Sequence, residues 1–130
     1  MASRQGSSRR IVMLIDDDED VRTTMSELLT TRGYSTLEAE NGKQAIEVLT
    51  KAARLPMLMI LDMAMPVLDG RGFLRLRARD PILREIPVFV VSASEPPILL
   101  EGIEMFMRKP VEVTRLLQII GRYRWSSSSR

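Results

Sequence analysis

The sequence predicts an α/β domain in which a parallel sheet of five strands carries helices on both faces. Three observations support this. Runs such as "IVMLI", "MLMIL" and "PVFVV" are apolar almost throughout, as strands covered on both sides must be; a strand with one wet face would alternate. Between the runs lie stretches whose apolar residues recur at helical spacing. The two patterns also alternate along the chain, which points to strand-helix-strand crossovers, right-handed by rule.

Strand one is "IVMLI", residues 11–15, and five carboxylates follow it at once in "DDDED". Glu19 to Arg32 reads as a helix because Val21, Met25, Leu28 and Leu29 stand at i, i+4, i+7 and i+8, and Gly33 ends it. "YSTLEA" alternates as a strand. Asn41-Gly42 opens a second helix with Ala45, Ile46, Leu49 and Ala53 on one side. "MLMIL" then runs into Asp62. The third helix spans Gly70 to Arg79, with Phe73, Leu74 and Ala78 inward and Arg71, Arg75 and Arg79 outward as a solvated stripe. "IPVFVVSAS" and "EMFMRK" supply strands four and five. Val113 to Tyr123 forms the last helix, turning Val113, Leu116, Leu117 and Ile120 inward. Pro96-Pro97 cannot sit inside a helix, so the fourth crossover helix is expected to be one turn or absent.

One domain fits 130 residues. Its expected bounds are 10–123, between Ser/Arg-rich tails at 1–9 and 124–130 that are expected to be disordered. The net charge of +2 is a property of those ends: positions 11–121 hold 13 basic against 17 acidic residues. With no cysteine and no histidine, disulfides, thiolate zinc sites and Ser-His-Asp hydrolysis are excluded by inventory. No apolar run approaches the roughly 20 residues that span a bilayer, and "MASRQGSSRR" has no hydrophobic segment. A cytoplasmic protein is expected, with no membrane insertion and no specific nucleic-acid partner.

On such sheets ligands bind beyond the carboxyl ends of the strands. Strand one delivers Asp16, Asp17 and Asp18 there, strand three Asp62, strand four Ser92 and strand five Lys109. Crowded carboxylates disfavour their own ionised state unless a cation neutralises them, and a hard divalent ion with oxygen ligands does so directly. Mg²⁺ fits, since it accepts phosphate oxygens beside one or two carboxylates. Asp62 is then a candidate nucleophile toward a phosphoryl group, with Lys109 and Ser92 placed for its oxygens.

These residues resemble the receiver domain of two-component response regulators over about positions 10–121. "LIDDDEDVR" is similar to that family's acidic segment, with Asp16 and Asp17 as the metal pair. "LDMAMPVLDG" resembles the phosphoacceptor segment around Asp62, "VVSAS" the segment of the switch hydroxyl Ser92, and "FMRKP" that of the essential Lys109. The resemblance implies a flavodoxin-like sheet of order 2-1-3-4-5. It also implies the Ala64 main-chain carbonyl as a further metal ligand, a cis Lys109-Pro110 bond, and Phe106 as an aromatic that switches with Ser92. The implied role is a single-domain phosphoacceptor rather than a turnover enzyme. It would take its phosphoryl group from a histidine kinase or histidine phosphotransfer protein and act on a downstream protein, with a homodimer as one mode.

Only 16 residues separate Ser92 from Lys109, a shorter span than the family's, so a remodelled output face is expected there. The alternative is a receiver-like interaction module that no longer depends on phosphorylation. An aspartyl phosphatase would want a second acid two residues after its nucleophile, and Ala64 stands there. Ala64 and Ser94 are also too short to orient an attacking water, so self-dephosphorylation is expected to be slow.

Overall fold

The computed structural model describes residues 10–63, 70–93 and 103–128. Along them run β1 (Ile11–Ile15), α1 (Glu19–Thr31), β2 (Ser35–Ala39), α2 (Gly42–Lys51), β3 (Leu58–Asp62), α3 (Gly70–Arg79), a short 3-10 turn (Leu83–Glu85), β4 (Val88–Ser92), β5 (Met105–Arg108) and α4 (Val113–Ser128). The five strands are parallel and ordered β2-β1-β3-β4-β5, as the resemblance implied. The segment expected to hold a shortened fourth crossover helix, 94–102, lies outside the described residues, as do 1–9 and 64–69.

Alternation along the strands builds two apolar layers. Val12 and Leu14 of β1, Leu58 and Ile60 of β3, and Phe89 and Val91 of β4 pack with Met25 and Leu29 of α1 and Leu116, Leu117 and Ile120 of α4. The intervening residues Met13, Ile15, Met59, Leu61, Val88 and Val90 pack with Ala45 and Leu49 of α2 and Phe73 and Leu74 of α3. Helices α1 and α4 therefore cover one face, α2 and α3 the other.

Local chemistry sets the helix ends. Asp18 caps α1 by accepting the Val21 N–H at 3.2 Å, with Glu19 and Asp20 in the first turn where the helix dipole favours acids. Beyond Arg32, Gly33 turns at φ 91°. Its N–H reaches the Thr30 carbonyl and that of Tyr34 the Leu29 carbonyl, both at 3.0 Å, which closes the helix as a Schellman motif. Asn41 caps α2 by accepting the Gln44 N–H at 2.8 Å, while the Gln44 side chain accepts the Glu40 N–H at 2.7 Å.

Four expectations change in detail. Val21 is 45% exposed, because it lies in the first turn of α1 above the rim of the core. Ala53 is exposed, since α2 stops at Lys51. Ala78 is exposed, and the inward position is taken by Arg77, one turn after Phe73. The last helix passes Tyr123 and continues to Ser128, so residues 124–128 are helical where a disordered tail was expected; no proline follows Gly121 to stop it.

Candidate functional site

Parallel strands bring their carboxyl ends to one rim. Sheet-like bonds continue past those ends: the Asp16 N–H donates to the Ala39 carbonyl at 3.0 Å, Met63 to Val91 at 3.1 Å, and Lys109 to Ser92 at 2.8 Å. The backbone on which the polar side chains stand is thereby fixed. Asp62 and Lys109 each lie two residues beyond a strand residue of the α1/α4 layer, Ile60 and Met107, so both turn to that side.

There the Lys109 Nζ stands 3.2 Å from Asp62 Oδ1, and Asp62 itself is only 3% exposed. Asp16, Asp17 and Asp62 each offer a carboxylate oxygen, all within 4.8 Å of one another. Three carboxylates meet one ammonium, so the cup carries an excess of negative charge. The Asp16 carboxyl shows the cost. Burial raises its pKa above the ordinary 3.8, the charges of Asp62 and Asp17 raise it further, and the Asp18 amide and Lys109 act the other way. An all-oxygen donor set of this spacing and surplus charge fits a hard divalent cation, and Mg²⁺ in particular because it needs few protein ligands.

The acids of "DDDED" thus divide their work. Asp16 and Asp17 enter the cup, Asp18 caps α1 while its own N–H donates to Asp16 Oδ1 at 2.9 Å, and Glu19 and Asp20 lie in the first helical turn. Ser92 ends β4 at the same rim, on the α2/α3 side of the sheet. Phe106 stands in register with Val90, two residues before Ser92, and packs against the α2/α3 layer. The Lys109-Pro110 bond is cis. Ala64, expected to lend its carbonyl, lies outside the described residues.

Two positions with weaker signals complete the surroundings. Arg22 donates to the Asp16 carbonyl at 2.7 Å and faces Glu38 at 3.4 Å, tying α1 to the strand end that carries Asp16 and Asp17. Nothing in the spacing of "DDDEDVR" identifies it beyond an arginine in the first turns of the helix. Gly70 opens α3 against the chain at Asp62: a methyl group there would meet the Met63 Cα at 2.7 Å and the Asp62 carbonyl at 3.2 Å. From the cup a groove of about 660 Å³ opens between α1 and α4, its wall formed by Val21, Met25, Ile60, Pro110, Val113 and Leu116.

Comparison with known proteins gives one answer. Residues 12–121 match the family described as the response regulator receiver domain. The polar-differentiation response regulator DivK of Brucella anthropi is 29% identical over 117 residues, 86% of this chain and 94% of its own. The two-component response regulator ORR3 of Oryza sativa subsp. indica is 33% identical over 116 residues, 85% of this chain and 88% of its own. Among solved structures, the signal receiver domain of a signal transduction histidine kinase from Syntrophus aciditrophicus superposes with a TM-score of 0.79 at 26% identity, over 89% of this chain and 90% of that one. Receiver domains are signalling modules of two-component systems. Sheet order, rim chemistry and relatives agree: the chain belongs to the response regulator receiver domain family.

Proposed function

We propose that this chain is a phosphoacceptor, taking a phosphoryl group onto Asp62 from a phosphohistidine on a kinase or phosphotransfer protein. The donor's N–P bond breaks as an O–P bond forms on the Asp62 carboxylate, and the donor imidazole leaves. Phosphoryl transfer asks a protein for position and charge neutralisation, and three features supply them. Asp62 is held on a strand end with one oxygen beside Lys109 at 3.2 Å, so its attack can be directed. Asp16 and Asp17 would hold Mg²⁺, which supplies positive charge to the phosphoryl oxygens. The groove beside α1 gives the donor a route to the carboxylate.

The observation that carries this reading is Asp62, the one buried carboxylate among the described residues, between an ammonium and an acid pair. Once phosphorylated, its single carboxylate charge would be replaced by that of a phosphoryl group of about −2, which would draw Lys109 and the Ser92 hydroxyl toward the new oxygens and shift the conformers of Phe106. Incubation with acetyl phosphate and Mg²⁺ tests it by intact mass. One phosphoryl group is expected on the wild type, none on Asp62→Ala, and none when the metal is chelated. Equal labelling of wild type and Asp62→Ala would refute it.

A further inference from the structure

The domain body is acidic on average, but its described surface is divided. Exposed Glu19, Asp20 and Glu27 lie on α1, on one side of the sheet. The other side differs. Helix α3 contains four arginines and no acidic residue. Arg77 is buried, whereas Arg71, Arg75 and Arg79 are exposed. At i, i+4 and i+8 these three sweep only about 80° of the helix surface, so they form a single ridge centred on Arg75, opposite the buried side of α3. Exposed Lys43 and Lys51 on α2, and Arg54 just after it, extend the positive field; Glu47 is the exposed acid within α2.

The ridge is unfavourable for the helix that carries it. Like charges four residues apart repel, and Arg71 stands in the first turn, where the helix dipole disfavours a cation. Among the described residues no carboxylate forms an ion pair with Arg71, Arg75 or Arg79. An anionic surface laid along α3 would remove both costs. Its nature is indicated by what borders the arginines. Leu76, one turn before Arg79, is 43% exposed, and Ile82, in the turn beyond the helix, is 54% exposed. Phe73 is fully buried, so α2 and α3 present no aromatic ring on which a nucleic-acid base could stack. Arginines beside exposed aliphatic side chains match a lipid interface, phosphate headgroups above and acyl chains below.

We propose that the α2–α3 face docks this receiver on an anionic lipid bilayer as a peripheral protein, through Arg71, Arg75 and Arg79 with Leu76 and Ile82 dipping between headgroups. The acids of α1, across the sheet, are repelled by the same surface, which fixes the orientation and leaves the groove beside α1 open to a donor. The proposal is independent of whether Asp62 accepts a phosphoryl group.

Co-sedimentation of the full chain with vesicles tests it, using phosphatidylcholine alone or mixed with phosphatidylglycerol. Binding is expected to the mixed vesicles only and to weaken with salt. The variant Arg71→Gln/Arg75→Gln/Arg79→Gln is expected to bind about a hundredfold more weakly. A control losing the same charge on other elements, Arg32→Gln/Arg115→Gln/Arg122→Gln, keeps the affinity, and circular dichroism verifies the fold of both. Leu76→Ser/Ile82→Ser weakens vesicle binding but leaves unchanged any binding to duplex DNA. A wild type that ignores mixed vesicles overturns the proposal, as do two triple variants that bind alike. Duplex DNA that displaces the vesicles while Leu76→Ser/Ile82→Ser binds them normally overturns it in favour of a nucleic-acid partner.

Discussion

Asp62 and Arg77 are both buried, at 3% and 5% exposure, and both bear a charge, yet the fold treats them differently. Arg77 hangs from α3 over the chain entering β4. Its Nε and Nη2 donate to the Ile86 carbonyl at 3.2 and 2.6 Å, and Nη2 also to the Arg84 carbonyl at 2.9 Å. Burial pushes its guanidinium pKa down, opposed by the charge of Glu85. These acceptors all lie within the chain, and their product is an anchored loop. Among the described residues, Asp62 meets one ammonium and two further carboxylates, so the charge these groups bring together is negative. Burial alone therefore does not mark a candidate functional group; a gathering of like charges that a cation would relieve does.

The most severe test of this contrast removes the satisfied charge. Arg77→Leu leaves the Ile86 and Arg84 carbonyls without their donor and is expected to cost about 2–4 kcal/mol in urea denaturation. Acetyl phosphate labelling of Asp62 at a temperature where the variant is folded should be retained, since Arg77 serves the other side of the sheet. Loss of labelling in the folded variant would break the comparison.

Gly70→Ala is expected to fall between the two classes. Its methyl group would sit 2.6 Å from the Met63 Sδ and 2.7 Å from the Met63 Cα, and a backbone atom cannot step aside as a side-chain tip can. The cost should be about 1–3 kcal/mol, smaller than for Arg77→Leu. Because Met63 follows Asp62 directly, the labelling rate should fall as well. A variant with unchanged labelling would mean that α3 and Asp62 are not tightly joined.

Much of this was legible in the sequence, and the misses fall at element ends and at residues held by a distant partner. Residues whose fate depends on the local period were mostly read correctly, among them the five strands and the helix boundaries at Asn41 and Gly33, but Val21, Ala53 and Ala78 fit the period and are exposed. Residues whose fate depends on a distant partner were not. Arg77 follows Phe73 by four and so shares the inward face, but its acceptors belong to residues 84 and 86, and the apolar period put Ala78 there instead. Arg22 likewise finds its role only once the chain returns to set α1 beside Asp16 and Glu38. The arginine stripe was read as a solvated face; the exposure of Leu76 and Ile82 beside it needed the packed helix to become visible.

The smallest effect, and the finest test of charge imbalance, concerns Asp16. Burial and the neighbouring carboxylates raise its pKa in the folded chain above 3.8, so the ionised form is held at a cost. That cost is fully present above the folded pKa and is relieved as pH falls through it, because the folded state then binds a proton before the unfolded state does. Without metal, Asp16→Asn should therefore be more stable than wild type at neutral pH, and the gap between their thermal midpoints should narrow on acidification toward 3.8. Added Mg²⁺ should reverse the order at neutral pH, since the wild type offers a carboxylate where the variant offers an amide. A gap that widens on acidification would mean that Asp16 is stabilised by its ionised state, and the imbalance drawn here between the rim and the rest of the core would be wrong.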